Sequence, residues 1–164
     1  MKLSIIYHSK TGNTKEIAQI IASGAKEVID VEVKCMSIDD IDNEYLDQSK
    51  AVVFGCPTYL ADISWQLKKW FDESKRYNLK GKLGAMFATE NYLGGGADFA
   101  LLTLAGHMLV KGMLVYSSGS AEGQPYIHYG VVCIKNGDSD QRERAKIFGK
   151  RIALKTLELF NSYK

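Results

Sequence analysis

The sequence predicts an α/β fold in which helices cover both faces of a parallel sheet. Strand-like and helix-like segments alternate along all 164 residues. The run Ala51–Cys56 is apolar throughout, which is typical of a strand buried on both faces. The sequence shows no repeat, linker or low-complexity stretch, so we expect residues 1–164 to form one domain with right-handed crossovers.

Apolar spacing and alternation define the elements predicted for the first half. Ile17, Ile20 and Ile21 recur at helical intervals after the first apolar run. The alternating segment Val31–Met36 is typical of a strand near a sheet edge. We expect strands over Met1–Tyr7, Val31–Met36 and Ala51–Cys56, and helices over Asn13–Ile29, loosely over Asp39–Gln48, and over Ile63–Arg76.

Two of these helices begin at recognisable capping patterns. Asn13 and Glu16 have the spacing of a capping box at the start of the first helix. Asp62 stands just before Ile63 and is the expected N-cap of the third helix.

In the second half, the same patterns continue to the end of the chain. We expect strands over Lys82–Thr89, from Met113 to Tyr116 and over Gly130–Ile134, and helices over Ala97–Val110 and from about Ser139 to Ser162. The helix ending before Gly112 should bury a stripe of Leu101, Leu104, Ala105, Met108 and Leu109. The stretch between Ser117 and Gly130 has no clear periodicity and is expected to be irregular.

Composition excludes several classes of protein. Apolar residues make up 46% of the chain, which argues against disorder, and a net charge of +2 without a basic face argues against nucleic-acid binding. Cys35, Cys56 and Cys133 lie far apart in apolar runs, so we expect reduced buried thiols and no metal site. No signal peptide is recognisable, and the apolar run Phe99–Tyr116 is too interrupted to insert into a membrane. We expect a cytoplasmic protein.

The loop between the first strand and the first helix predicts a phosphate site. It reads Ser9, Lys10, Thr11, Gly12, Asn13, Thr14. A helix start offers unpaired N–H groups and a partial positive charge, and hydroxyls beside it add neutral donors. The loop has neither a Walker motif nor a glycine-rich dinucleotide motif. An ordinary capped helix start is the alternative.

Two further loops follow strands and should reach the same edge of the sheet. The second contains Pro57, Thr58, Tyr59 and Leu60, and its aromatic ring could stack on a planar ligand. The third contains Thr89, Glu90, Asn91, Tyr92, Gly94, Gly95 and Gly96, and its glycines would let the backbone approach such a ligand. A proline turn and a flexible connection are the respective alternatives. Together the three loops predict a ligand with a phosphate and a flat polar ring, a description that fits FMN.

These motifs resemble those of the flavodoxin superfamily. The resemblance is carried by Ser9-x-Thr11-Gly-Asn-Thr14, Gly55-x-Pro57-Thr58-Tyr59 and Gly94-Gly-Gly96 with Gly112-Met113, and it covers nearly the whole chain. It is strongest to WrbA-type NAD(P)H:quinone oxidoreductases and related flavodoxin-like FMN reductases. It implies a three-layer α-β-α sandwich with a five-stranded parallel sheet in the order 2-1-3-4-5. It also implies bound FMN, with its phosphate held by residues 9–14, one side of its ring system lined by Pro57, Thr58 and Tyr59, and its pyrimidine edge in contact with residues 89–96.

The sequence departs from the WrbA pattern at the acceptor pocket. Lys111 stands where that family commonly has a histidine, and the segment Asp72–Lys80 lacks a tryptophan-bearing extension. These departures put a quinone substrate in doubt more than FMN binding.

Two functions from different classes fit this cofactor. The first is an enzyme in which NAD(P)H passes a hydride to FMN and a small-molecule acceptor is then reduced. No side chain is expected to act as an acid or base; Tyr59, Tyr92, Lys111 and Tyr126 are candidates for shaping the acceptor face. The second is a flavodoxin that carries single electrons between redox partner proteins.

Features of the chain favour the enzyme. Such carriers usually hold a half-reduced flavin through a backbone flip that is easiest with glycine beside the ring-flanking aromatic residue, whereas Leu60, Ala61 and Asp62 follow Tyr59 here. Carriers are also typically acidic, whereas this chain is slightly basic. An FMN-binding regulatory or storage module is a third possibility. Aromatic residues between Tyr116 and Gly130 are consistent with a homodimer or homotetramer, and a loop folded back on its own sheet is the alternative.

Overall fold

The computed structural model describes residues 1–161, so Ser162, the last residue of the final predicted helix, lies outside the described part. Within residues 1–161, strands and helices follow one another in the expected order. The strands are β1 (Lys2–Tyr7), β2 (Glu32–Ser37), β3 (Ser49–Tyr59), β4 (Asp62–Ile63), β5 (Leu83–Glu90), β6 (Leu114–Val115) and β7 (Val131–Ile134). The helices are α1 (Asn13–Ala25), α2 (Asn43–Gln48), α3 (Trp65–Glu73), α4 (Ala97–Val110) and α5 (Ser139–Asn161).

The sheet has the predicted parallel order. Its strands lie in the order β2-β1-β3-β5-β6, so β5 is the fourth predicted strand and β2 is at an edge as expected. The fifth position is shared by two short strands, because β6 pairs with the first half of β5 and β7 with the second half. The irregular segment between β6 and β7 contains a short 3-10 turn, Ser120–Glu122.

The buried strands supply side chains to a separate core on each face of the sheet. In β3, Val53 faces the core formed with α1 and α5, whereas Val52 and Phe54 face the core under α3 and α4. In β5, Phe87 faces the core formed with α1 and α5, and Met86 faces the core under α3 and α4. This alternation explains why residues 51–56 of β3 and 83–88 of β5 are apolar throughout, since neither face of the sheet meets water there.

Helices α1 and α5 pack closely because each has a glycine at the contact. A Cβ added at Gly24 would lie 1.8 Å from the carbonyl oxygen of Lys146, and one added at Gly149 would lie 1.9 Å from that of Ile21. Ion pairs flank the contact, including one of 2.6 Å between Arg142 and Glu16. Backbone therefore meets backbone at this crossing.

The two predicted capping patterns are wrong. Helix α1 has Gly12 as its N-cap, with a left-handed φ of 100° and no side-chain cap, and Glu16 pairs with Arg142 instead. Asp62 belongs to β4, and Ser64 is the N-cap of α3. Local spacing assigned both residues to helix caps, but Glu16 forms an ion pair with a remote residue and Asp62 pairs with a neighbouring strand.

Other boundaries differ by a few residues, and one predicted core position is exposed. Helix α1 ends at Ala25, four residues before the prediction. The second predicted helix is shortened to α2, whose N-cap Asp42 accepts a 3.0 Å hydrogen bond from the Tyr45 N–H. Helix α4 has the predicted bounds, but Leu109 faces solvent while Met113 is buried.

The cysteines are free thiols in the structure. Cys56 and Cys133 are buried as predicted, and Cys35 is half-buried. Burial raises the pKa of the Cys35 thiol to about 11 and those of the other two to about 12, so the reactive thiolate is scarce near neutral pH. In the described part of the chain, no helix has the length and apolarity needed to span a membrane.

We predict that Gly149→Ala destabilises the fold by about 1–3 kcal/mol or more, because the new methyl group would overlap a backbone carbonyl that cannot rotate away. Chemical denaturation measures this loss. Gly106→Ala in α4 is the matched control, since nothing lies within 4 Å of the Cβ position there. Gly106→Ala should stabilise the protein slightly, because alanine has a higher helix propensity than glycine. Equal effects of both changes would contradict the close-packing explanation.

Candidate functional site

Strand register brings the three predicted loops to one level of the sheet. Tyr7 of β1 lies beside Gly55 of β3, and Gly55 lies beside Phe87 of β5. Two residues further along these strands stand Ser9, Pro57 and Thr89, the first residues of the three loops. Because the strands are parallel, all three loops leave the same edge.

The first loop presents the start of α1 to this edge. His8 extends the sheet by donating its backbone N–H to the carbonyl of Gly55 at 3.0 Å. Ser9 Oγ accepts from the N–H of Lys15 at 3.2 Å and thereby holds the loop against the first helical turn. The N–H groups of Asn13 and Thr14 have no intrahelical acceptor and carry the positive end of the dipole.

A buried hydrogen bond joins the first loop to the third. Thr14 Oγ1 and Thr89 Oγ1 are 2.7 Å apart, and both residues are buried. Thr14 therefore has a structural partner in addition to its predicted role toward a phosphate. Thr11 is exposed at the edge, so its hydroxyl is the freer of the two.

The second loop is a hairpin that the sequence patterns did not predict. Thr58 and Tyr59 pair antiparallel with β4 across a two-residue turn of Leu60 and Ala61. Both turn residues are in the left-handed region, with φ of 49° and 61°. Glycine or asparagine normally takes such positions in type I′ turns, so this backbone stores strain of the order of 1 kcal/mol or more per residue.

The third loop folds around a buried carboxylate. Glu90, at the end of β5, accepts a 3.3 Å hydrogen bond from the N–H of Ala97 at the start of α4. Gly96 precedes that helix with a φ of 90°, and a Cβ there would lie 2.5 Å from Ala61 Cβ. The glycine therefore lets the second and third loops touch.

The loops enclose two adjoining cavities that share Thr58, Glu90 and Asn91. The smaller has a volume of about 290 Å³ and the larger about 560 Å³, within the range of ligand pockets when joined. Lining the smaller are Lys10, Thr11, Asn13, Thr14, Pro57, Thr58, Tyr59, Thr89, Glu90 and Asn91. Lining the larger are Thr58, Leu60, Ala61, Glu90, Asn91, Tyr92, Gly94, Gly95, Gly96 and Phe99.

All predicted cofactor-binding residues except Ser9 and Gly12 line one of these cavities. Those two shape the first loop instead. Ala61 and Phe99 line the larger cavity but were missed; Ala61 is adjacent to a predicted residue, whereas no local pattern identifies Phe99. Of the residues predicted to shape the acceptor face, Lys111 and Tyr126 line neither cavity, and Lys111 lies in a cleft between α3 and α4.

The donor set fits a flavin nucleotide. The smaller cavity combines hydroxyl and amide side chains, a helix start and Lys10, a combination that suits a phosphate ester. The larger combines aromatic and glycine residues, which suits a flat ring. Thr58 Oγ1 is buried without a protein partner within residues 1–161, so a ligand atom would satisfy it.

A three-layer α/β fold with this edge site defines an FMN-binding redox protein. The chain belongs to the flavodoxin family, because residues 5–125 match the family model described as Flavodoxin. The predicted superfamily is therefore confirmed, and with it FMN as the cofactor. The assignment of individual residues to FMN stays a prediction.

Individual relatives differ in their names. The chain is 51% identical over 160 residues to a protein named flavodoxin from Clostridium saccharobutylicum, covering 98% of this chain and 100% of that one. It is 26% identical to an NAD(P)H dehydrogenase (quinone) from Archaeoglobus fulgidus, covering 93% and 95%. A WrbA-like flavodoxin structure from Agrobacterium tumefaciens has a TM-score of 0.81 at 23% identity, covers 96% and 98%, and shows the same fold.

We predict that Thr11→Val weakens FMN binding about ten- to a hundredfold, because a phosphate oxygen loses a hydrogen bond. Quenching of flavin fluorescence measures the dissociation constant. Binding of riboflavin, which lacks the phosphate, should not change. Ser23→Ala, near the other end of α1, is the control. Equal losses for FMN and riboflavin would place Thr11 elsewhere than at the phosphate.

We also predict an acid-sensitive contribution from His8, which is buried with Nε2 unpartnered within the described residues. Burial lowers the pKa of His8 below 6.5, and the Asp39 carboxylate opposes this only in part. The unfolded chain therefore takes up this proton first, and stability should fall as the pH drops below about 6.5, by at most about 1.4 kcal/mol per pH unit.

Denaturation between pH 7 and pH 5 tests this contribution. His8→Asn should flatten the pH dependence, while His128→Asn, at an exposed position, should leave it unchanged. An unchanged slope in His8→Asn would show that His8 is protonated equally in both states.

Proposed function

We propose that this protein is an electron-transfer flavodoxin that carries electrons between redox partner proteins. The observation that carries the proposal is its 51% identity to a protein named flavodoxin over essentially the full length of both chains. This identity favours the electron carrier over the NAD(P)H-dependent enzyme, the two functions considered from the sequence.

Chain length supports the same choice. The alignment with the Archaeoglobus fulgidus dehydrogenase is 189 positions long but covers only 93% of this 164-residue chain. That relative therefore contains segments that are absent here. After α3, the chain passes through a 3-10 turn, Ser74–Arg76, and the buried residues Tyr77 and Leu79 before it enters β5. This direct route leaves no extension that could cover an acceptor pocket.

The mouth of the site is suited to contact with a protein surface. Leu60 and Tyr92 line the larger cavity and are largely exposed, and Leu93 beside them is exposed as well. Exposed apolar residues grouped around a site commonly mark an interaction surface. A partner seated on this rim would come close to the ring end of the cofactor.

Each part of the site would have a separate task. Thr11, Asn13 and the start of α1 would hold the phosphate, and the segments 57–60 and 89–96 would orient the ring. When bound, FMN supplies the electron chemistry. The side chains at the two cavities position the cofactor and limit water around it, and none of them needs to act as an acid or base.

An NAD(P)H-dependent oxidoreductase is the second candidate, supported by the Leu60–Ala61 turn. Electron carriers of this kind use a backbone rearrangement beside the ring that is easiest at glycine. Neither Leu60 nor Ala61 is glycine, which favours the enzyme. However, both residues already occupy left-handed conformations, so the turn has adopted the geometry that glycine would favour.

For an electron carrier, we expect NADH or NADPH alone to reduce the bound FMN no faster than it reduces free FMN, because a carrier receives its electrons from partner proteins. Stepwise anaerobic reduction with dithionite should proceed in two separable one-electron steps. Absorbance spectra measure both, with free FMN at equal concentration as the control. Rapid bleaching by either nucleotide, followed by turnover with a quinone, would establish the enzyme instead.

A further inference from the structure

A cleft between α3 and α4 lies apart from the cofactor site. We call it the α3–α4 cleft; its volume is about 600 Å³, which is within the range of small-molecule pockets. Within residues 1–161, it shares no lining residue with the two cavities at the loops. Its α4 wall includes Gly106, which is ten residues, or about 15 Å, further along the helix than Gly96 at the third loop. A ligand in this cleft would therefore be separate from the cofactor.

The inner surface of the cleft is aromatic and apolar. Phe71 forms its base, since only 2% of this lining residue is exposed, and the His107 ring packs against it at a centroid distance of 4.9 Å. Val110 adds an aliphatic side chain to the α4 wall. Gly106 leaves that wall open, because nothing lies within 4 Å of a Cβ built there. Such a surface suits a flat apolar body.

The orientation of the His107 ring is fixed by a hydrogen bond. Its Nδ1 lies 2.7 Å from the carbonyl oxygen of Thr103, one turn earlier in α4. A carbonyl oxygen only accepts hydrogen bonds, so Nδ1 carries the proton of this bond. The bond and the contact with Phe71 hold the ring in place, and an aromatic ligand would meet a preorganised surface.

The charged side chains at the cleft leave a positive excess. Lys75 follows α3 and Lys111 follows α4, so one ammonium group belongs to each wall. Among residues 1–161, neither has a carboxylate within 4 Å. Asp72 also lines the cleft, but both of its oxygens accept hydrogen bonds from Lys68, at 2.6 and 2.7 Å. This bond lowers the pKa of Asp72, and Lys111 adds to the effect from a longer distance.

The helix ends do not cancel this excess. Both α3 and α4 end beside the cleft, and the C-terminus of a helix carries about half a negative charge. The two ends together supply about one negative charge, whereas Lys75 and Lys111 supply two positive charges and the Lys68–Asp72 pair is neutral. About one positive charge remains, which a monoanion would neutralise.

We propose that the α3–α4 cleft binds a small aromatic monocarboxylate, with its ring against Phe71 and His107 and its carboxylate paired with Lys75 and Lys111. The apolar base selects for the ring, and the charge excess selects for a single carboxylate over a neutral or cationic group. Lys111, considered from the sequence as a residue of the acceptor face, would thus serve a second ligand. This site does not depend on which of the two redox functions the protein performs.

Calorimetric titration of the FMN-loaded full chain with 2-naphthoate tests the site, because bound FMN keeps the probe out of the cofactor cavities. The matched probe 2-naphthalenemethanol has the same rings without the charge. It should bind about tenfold more weakly or less, since it loses the charge-assisted hydrogen bonds. In NMR spectra of the same complex, naphthoate should shift the amide signal of Gly106 and leave those of Gly94 and Gly95 in place.

Substitutions at the two walls separate the contributions of charge and shape. Lys75→Gln and Lys111→Gln should each weaken naphthoate binding about three- to tenfold and leave the binding of the alcohol unchanged. Lys69→Gln is the matched control, because Lys69 belongs to the same helix α3 but does not line the cleft. Gly106→Leu should weaken the binding of both probes, since its side chain would occupy the open part of the wall. Circular dichroism verifies that each variant is folded.

Three results would overturn the proposal. The first is the absence of heat and of signal shifts at roughly ten millimolar naphthoate, where even a weak specific ligand fills its site. The second is equal affinity for naphthoate and the alcohol. The third is unchanged naphthoate affinity in the variant that combines Lys75→Gln with Lys111→Gln.

Discussion

The hydrogen-bonded register of three neighbouring strands is the constraint on which the site depends. Tyr7, Gly55 and Phe87 are level across β1, β3 and β5, and the first residue of each predicted loop follows two residues later in the chain. A slip of one residue would turn every side chain to the other face and displace one loop from the others. Both faces of β3 and β5 are buried, so such a slip is costly, and the edge of the site is correspondingly rigid.

Close contacts then transmit this rigidity to the loops. Gly55 is required because the Phe87 ring fills the space of a Cβ, which would lie 2.0 Å from the ring. The Thr14–Thr89 bond joins the start of α1 to the end of β5, and Gly96 brings the third loop onto Ala61. The cavities are therefore formed by loops that are tied to each other and to the sheet, as a preorganised binding site requires.

The surface divides into regions with different chemistry. Hydroxyl and amide side chains, Lys10, Glu90 and a helix start line the smaller cavity, where we predict that the phosphate binds. Exposed apolar residues surround the larger cavity and extend along α4. A net charge of only +2 provides little long-range steering, so association would depend on shape and apolar contact at these surfaces. Leu60 and Tyr92 line the larger cavity and are also exposed at its rim, so cofactor binding and association with proteins would share these residues.

The sequence by itself indicated the order of the main elements, a parallel sheet and nearly all of the residues around the cavities, and the strand order followed from the resemblance to the flavodoxin superfamily. Apolar periodicity and turn residues are local signals, and parallel strands must bring their following loops to one edge. Tertiary structure decided the rest, because the partners are remote in sequence. Glu16 forms an ion pair with Arg142 in place of the expected cap, and Asp62 pairs with Tyr59 in a hairpin. Phe99 of α4 lines the larger cavity. The exposure of Leu109 also depends on how α4 rotates against the sheet, and spacing within one helix cannot specify which apolar side faces the core.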